Sequence, residues 1–388
     1  MLLLVIMLAV KAVSGQGSTT SSINGRVIGN NGESLPGATV VAVDVPTGSQ
    51  YGTVTDLDGY YRLPNLNVGG PYTVTISYIG YETFVREGIF LQLGQTLNIN
   101  ANLSEKLTTI EGIEIVAQQR DIFDGNRTGA ETYVSRDEIQ KLPTLSRSIG
   151  DFVRFTPQAK YDGGVGAISV AGINNRYNAI SFDGAVNNDV FGLAASGTNG
   201  GQTGGTPISL DAIDQFQIVL APYDVRQGGF AGASINAVTR RGTNEFEGSA
   251  YFLYRNQDLA GKTPGKDVEE RTKLDDFTAK TYGMRLGGPI IKNKLFFFLN
   301  AEFQRDETPQ PFDFADYQGN SSQDQLNAFA NKLKEYGYDP GGYLNNTKEL
   351  NGDKFLVRFD YNINKNHKLT LRHSYVKSES LGAYRSSN

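Results

Sequence analysis

The side chains best able to do chemistry in this 388-residue chain are few and poorly spaced for it. Its two histidines, His367 and His373, fall in or beside one strand-like segment, and there is no cysteine. Neither Gly-x-Ser-x-Gly nor His-Glu-x-x-His occurs, so nucleophilic and zinc-hydrolase chemistry lack their usual groups. The paired carboxylates Glu269 and Glu270, and Asp275 and Asp276, sit in a mixed acidic and basic stretch that reads as solvated surface. Asp56 and Asp58 ahead of Gly59 form an oxygen-rich turn of the kind a hard cation takes. No bidentate Glu follows at the spacing of an EF-hand loop, and an Asx turn closing a hairpin accounts for the pair. Gly192, Gly197, Gly200, Gly201, Gly204 and Gly205 form a Gly-rich stretch, but no Lys-Ser/Thr follows and no helix opens after a buried strand, which argues against a phosphate cradle. The expectation is no catalytic residue, no metal and no cofactor.

The elements that would hold these residues are mostly strands. With 45 Gly, 20 Tyr, 21 Phe, no Trp and 39% hydrophobic residues, the composition suits many short strands and turns. A net charge of -5 without a Lys/Arg cluster argues against nucleic acid as a partner. Leu2 to Val10 is an apolar run too short to span a bilayer, followed by the small residues Ala12, Ser14 and Gly15. It reads as a signal peptide over 1–15, although the basic start that such a segment carries is missing and would lie upstream. Nothing later approaches 18 consecutive apolar residues, so a membrane location would require a barrel.

Residues 23–103 alternate in short runs split by turns and form a first β-sandwich. Gly25-Arg26-Val27, Leu35-Pro36-Gly37-Ala38, Thr55-Asp56-Leu57-Asp58-Gly59-Tyr60-Tyr61 and Ile79-Gly80-Tyr81 stand in an order that resembles the carboxypeptidase-regulatory-like, prealbumin-type domain. That resemblance implies a seven-stranded sandwich of a carbohydrate-binding-like fold. Tyr51, Tyr60, Tyr61 and Tyr78 could stack on a sugar ring, but strand aromatics more commonly fill the core or pair across strands. A linker, 104–117, ends in Ile113-Glu114-Ile115-Val116-Ala117, whose acidic and apolar alternation suits a strand added to another protein's sheet edge. It resembles a TonB box, with the first strand of the next domain as the other reading.

The next domain, 118–242, opens with Ser135-Arg136-Asp137-Glu138, a capped short helix stopped at Pro143, and a second short helix after Ser148. Three later pieces resemble the plug of TonB-dependent outer-membrane receptors: Gly172 to Asn178 with Arg176-Tyr177-Asn178, the strand into Asp183-Gly184, and Gly228 to Arg240. Ala221-Pro222-Tyr223-Asp224-Val225-Arg226-Gln227 replaces the usual basic residue before the last piece, as in the Oar-like branch. The resemblance implies a plug whose ligand-facing candidates are Arg176, Tyr177, Asn178, Asn187, Asn188 and Asp189, and whose Gly-rich loop faces outward.

From 245 to 388 about five long segments alternate between apolar and polar faces, as strands between lipid and a wet lumen do. They are expected from Glu245, over Lys280 to Gly288, Leu295 to Arg305, Phe355 to Ile363 and Lys368 to Lys377. Pro289 to Asn293 and Asn364 to His367 are tight turns, whereas Asn256 to Ala279 and Asp306 to Asp353 are long and polar, which places the short connections in the periplasm. Gly287-Gly288-Pro289-Ile290-Ile291-Lys292-Asn293 again resembles Oar-like receptors. Five strands do not close in lipid, so further strands are expected beyond Asn388, and the resemblance to these receptors implies a barrel of about 22 in all.

The fold class expected is mainly β: a prealbumin-like sandwich, a mixed α/β plug and the first strands of an antiparallel transmembrane barrel. The family resemblance implies an outer-membrane receptor of a Gram-negative bacterium that imports an extracellular solute, with the TonB energising complex and outer-membrane lipid as partners. The alternative is an Oar-like adhesion or secretion-linked protein without an uptake role.

Overall fold

The computed structural model describes residues 19–106, 114–115, 130–142, 144, 147–162, 166–220, 228–263, 269, 271–311, 317, 319–342, 344–364 and 367–382. The proposed signal segment and Ile113, Val116, Ala117, Pro143 and 221–227 lie outside the described residues.

In the sandwich, β1 (Thr20–Gly29) lies between β4 (Tyr60–Asn67) and the two short strands β7 (Thr96–Asn98) and β8 (Ala101–Leu103). Both short strands run parallel to β1, one at Ser22–Asn24 and the other at Val27–Gly29, so they act as one interrupted edge and make up the seven strands expected. The facing sheet runs β3 (Ser49–Val54), β2 (Thr39–Asp44), β5 (Gly69–Ser77), β6 (Phe84–Leu91). Alternate residues of each strand point between the sheets, and Ile23, Val27, Val40, Leu63, Val74, Ile76, Ile89 and Leu91 are buried there. Beyond β6 a two-residue strand, β9 (Glu114–Ile115), adds in parallel, opposite Phe84 and Val85.

The plug sheet is ordered β10 (Ala130–Val134), β15 (Ile213–Leu220), β16 (Ala233–Thr239), β13 (Ala179–Phe182), β14 (Ala185–Val186). The strands β11 (Ala159–Asp162) and β12 (Ala167–Val170) form a separate hairpin. Helix α1 (Arg136–Lys141) starts with a capping box: Ser135 Oγ accepts from the Glu138 N–H, and the Glu138 side chain accepts from the Ser135 N–H. Ser148 caps the shorter α2 (Ile149–Val153). Asp183 and Gly184, both at positive φ, close the β13–β14 hairpin as a two-residue turn in which the left-handed conformation matches strand twist.

The last sheet is a meander: β17 (Glu247–Asn256), β18 (Thr278–Ile291), β19 (Leu295–Pro311), β20 (Asn345–Asn362) and β21 (Lys368–Leu381). Its inner face carries Phe296, Phe298, Asn300 and Glu302, all buried, with Phe298 in the plug's apolar cluster and Glu302 bonded to Ser209 of the plug, while Phe252, Met284 and Leu371 point outward and are exposed. The strands outrun the expected bounds on the long-loop side, where β20 opens at Asn345 rather than Phe355 and β19 ends at Pro311 rather than Arg305. The two strands stay in register there rung by rung, from Glu307 opposite Glu349 to Pro311 opposite Asn345. Side-chain alternation marks only the lipid zone, whereas backbone hydrogen bonding continues past it. Within this loop lies α3 (Gln323–Glu335), opened by a second capping box at Ser322 and Gln325, which strand alternation could not reveal.

Gly242 sits where the plug passes into the wall. A Cβ there would lie 2.4 Å from the Phe297 carbonyl oxygen and 2.7 Å from that of Gly288, both backbone atoms that cannot turn aside. Gly242→Ala is expected to cost about 1–3 kcal/mol or more, as overpacking does. The check is a lowered melting temperature of the detergent-purified protein.

Candidate functional site at the plug and inner wall

Two clusters of charge hold the plug to the wall. In the first, Glu302 on β19 is almost wholly buried, with 4% of its side chain exposed, and so is Lys354 on β20 at 6%. The Lys354 ammonium donates to Glu302 Oε1 at 2.8 Å and also to Thr206 Oγ of the plug. Glu302 Oε2 accepts from Ser209 Oγ at 2.8 Å and from the Tyr251 hydroxyl at 2.5 Å. Arg147 of the plug lies over the Tyr251 ring at 4.3 Å and approaches Asp211 at 3.7 Å. Glu302 and Lys354 are hydrogen-bonded, as burial requires, whereas Arg147 is held by charge and ring contact, its buried Nε and Nη2 making no hydrogen bond.

The second cluster centres on Asp183. Its carboxylate accepts from the Thr239 N–H at 2.8 Å and hydroxyl at 2.7 Å, and from Arg372 on β21 at 2.7 Å. Arg358 on β20 stands 3.6 Å away, donates to the Thr239 carbonyl at 3.0 Å and grips Asp360 through two nitrogens at 2.8 and 2.9 Å. The Asp183-Gly184 turn therefore does two jobs, since the residue that permits the tight hairpin also presents the anion that docks it.

Above these contacts, toward the long connections, plug and wall enclose a cleft of about 970 Å³ lined by Arg147, Gln202, Thr203, Tyr254, Gln304 and Lys348, among others. Thr203 in the Gly-rich loop shares a hydrogen bond of 2.5 Å with Ser378 near the far end of β21, so that loop sits at the long-loop end.

The six residues singled out on the plug separate into two groups. Arg176 and Tyr177 form a 3₁₀ turn with Asn175 and are exposed, Tyr177 at 60%. Asn178 is buried instead: its side chain donates to the Ile168 carbonyl at 2.7 Å and accepts from the Ala233 N–H at 2.9 Å. Asn188 bridges the Ile180 N–H and the Asn178 carbonyl at 2.8 and 2.6 Å. Asn187 is half-buried, with its N–H on the Ile180 carbonyl at 2.8 Å. Asp189 caps its own loop by accepting from the N–H groups of Ala194 and Phe191, and the Ala194 contact does most to hold its carboxyl below the usual carboxylate range. Three of the six thus spend their side chains on the plug's own geometry.

The other sequence candidates are occupied locally. Asp56 Oδ1 accepts from the N–H groups of Asp58 at 3.0 Å and Tyr60 at 2.8 Å, an Asx turn. Tyr61 is buried and donates to the Ile99 carbonyl at 2.7 Å, and Tyr51 and Tyr78 pack against Tyr72 and Tyr81. Tyr60 stays exposed beneath Arg26. Among the described residues no group of three or more His, Cys, Asp or Glu could hold a metal ion. Glu302, Lys354, Arg358 and Arg372 were not anticipated as plug contacts. Their signal was present, since a full charge on the inward set of an alternating strand requires a buried partner or water.

Comparison with known proteins assigns all three parts. Residues 22–104 match the carboxypeptidase regulatory-like domain, 124–235 the TonB-dependent receptor plug domain, and 238–387 an outer membrane beta barrel domain. The TonB-dependent transporter Oar of Myxococcus xanthus is 29% identical over 295 residues, covering 72% of this chain and 26% of that protein. The probable TonB-dependent siderophore receptor PirA of Acinetobacter baumannii is 24% identical over 187 residues, 45% of this chain and 22% of that protein. The chain thus spans about a quarter of the length of these relatives. Among solved structures, the outer membrane transporter YddB of Escherichia coli aligns with 65% of this chain and 33% of its own at 16% identity and a TM-score of 0.46. A TonB-dependent receptor plug domain followed directly by an outer membrane beta barrel domain gives the chain the parts of a TonB-dependent receptor of the Gram-negative outer membrane, and it is similar to the transporter Oar.

Proposed function

We propose that the chain serves import of an extracellular solute across the outer membrane, powered by the TonB complex and seated in outer-membrane lipid. The observation that carries this reading is the plug, pinned below an outward cleft by the hydrogen bonds of Thr206 and Ser209 to the buried Lys354–Glu302 pair of the wall and by the half-buried Asp183–Arg372 ion pair. Such an arrangement seals the path at rest and holds a ligand surface above the seal. The family is one of receptors and transporters rather than enzymes, and both relatives named above are TonB-dependent by description.

Within this reading Arg176 and Tyr177 meet the solute, while Asn178, Asn187, Asn188 and Asp189 fix the loop that presents them. Ile113 to Ala117 is the strand offered to TonB, because an extended segment beyond a folded domain can join a partner's sheet by backbone hydrogen bonds.

The test compares depletion of solutes from culture medium, by mass spectrometry, across wild-type cells, cells lacking the receptor, cells lacking TonB, and cells carrying Ile115→Pro. Proline removes a ladder N–H, so Ile115→Pro cells should behave as TonB-less cells do. Tyr177→Ala should retain uptake but need about tenfold more solute, the equivalent of one lost contact of about 1.4 kcal/mol. If receptor-deficient cells deplete the same solutes at the wild-type rate, the import reading falls.

A further inference from the structure

The sandwich is docked, and the docking begins at Asp44, the last residue of β2. Its carboxylate is fully buried, accepts from Thr47 Oγ at 2.6 Å and pairs with Arg241 at 2.9 Å, on the stretch that leads from plug to wall. The same turn supplies the Pro46 carbonyl to the Asn244 N–H at 2.8 Å, and Ser49 Oγ accepts from the Asn362 amide at 2.9 Å. Lys368, at the start of β21, lies 3.2 Å over the Tyr51 ring. A second line of contact joins the Leu93 N–H to the Gln215 side chain at 3.0 Å and buries Val68, Leu93 and Val238 together.

These contacts share a location. Asn362 and Lys368 flank a tight turn of the meander, and Asn244 reaches Asn293 in the other one. Gln215 and Val238 sit near the ends of β15 and β16 at that same side. The covered surface is therefore the periplasmic mouth of this part of the barrel, where a solute passing the plug would leave. A carboxylate is not buried completely, against an arginine from another domain, in a unit that merely trails on a linker. The chain leaving the sandwich also returns to it, as β9 lies on the otherwise open edge of β6.

We propose that the sandwich is a latch across the periplasmic mouth, and that the strand Glu114–Ile115 on its β6 edge is the handle through which TonB tension withdraws it. The handle half rests on the import reading above; the latch half does not. Tension on the 114–115 segment reaches the sandwich through the paired edge as well as through the covalent chain. Two paired residues are few enough to be exchanged for a partner strand, while the Asp44–Arg241 contact keeps the latch closed in the absence of force.

These 388 residues hold no cysteine, so Val68→Cys in the full-length receptor in its outer membrane, with any cysteine outside them replaced by serine, reports on the docking surface. Its reaction with a maleimide admitted to the periplasm is compared with that of Leu57→Cys, which is 87% exposed on the same sandwich. At rest Val68→Cys should react at least tenfold more slowly than Leu57→Cys. Adding Asp44→Ala, or Arg241→Ala should the first fail to reach the membrane, should bring it close to the control rate. Energised TonB should raise the Val68→Cys rate several-fold, and Ile115→Pro should abolish that rise without changing the resting rate. Equal rates at rest would overturn the latch. A TonB that cross-links to a cysteine at Ile115 yet leaves the Val68→Cys rate unchanged would overturn the handle alone. Failure of TonB to cross-link there at all would also refute the handle, while the import reading is judged separately by solute depletion and the latch by the resting rates.

Discussion

Replacing Glu302 by alanine should destabilise the seating of the plug by about 3–5 kcal/mol, the usual effect of removing one member of a buried ion pair. The loss is not confined to one contact. Lys354, with 6% of its side chain exposed, would keep its charge with Thr206 Oγ as its one remaining hydrogen-bond partner among the described residues, and Ser209 and Tyr251 would both lose their acceptor. Three of the elements involved belong to the wall, whereas Ser209 and Thr206 belong to the plug, so the same substitution weakens the seal. Thermal unfolding of detergent-purified receptor should show a lowered midpoint, and planar bilayers should show conductance that the wild-type protein lacks. The control is the double change Glu302→Leu with Lys354→Met, because apolar residues in place of both charges remove the unpaired ion. That variant should recover most of the stability. A single Glu302→Ala as stable and as tightly sealed as wild type would show that the pair is not what seats the plug.

Phe216→Ala should cost about 3–5 kcal/mol for a different reason, the loss of apolar burial together with the cavity left behind. Phe216 is fully buried on β15 and meets Phe152 edge-on, with ring centroids 5.6 Å apart. Phe298 and Leu356 of the wall belong to the same apolar cluster, so the core of the plug is completed by the barrel. The cavity would therefore loosen the plug against its housing as well as within itself. Phe216→Leu, closer in volume, should cost about 1.5 kcal/mol or less. Denaturant titration of the two variants checks the order, and equal midpoints would remove cavity formation as the cause.

Much of the local structure was legible. Ser135 with Glu138 announced a capped helix because the reciprocal hydrogen bonds need only four adjacent residues. Asp183-Gly184 was legible as the end of a strand, whereas the two successive positive φ values that close it as a tight hairpin came with the structure. Strand alternation from Phe246 onward announced a wall with one apolar and one polar face, and the lengths of its connections oriented it. Where the strands stop was less legible, since Asn345 to Lys354 pairs along its backbone with no apolar alternation to mark it. The candidate ligand residues were legible only as a group. Arg176 and Asn178 are two positions apart on one turn, yet one reaches solvent and the other ties β16 to β12 from beneath.

The sequence by itself determined the order of the parts, the period of each strand, the caps and the turns, because each depends on residues within a few positions of one another. Only the tertiary structure decided which charges meet: Glu302 with Ser209 across 93 positions, Asp183 with Arg372 across 189, and Asp44 with Arg241 between separate domains. A buried charge announces that it needs a partner, but electrostatic attraction carries no sequence address, and the partner is chosen by whichever surface the folded domains bring within about 3 Å.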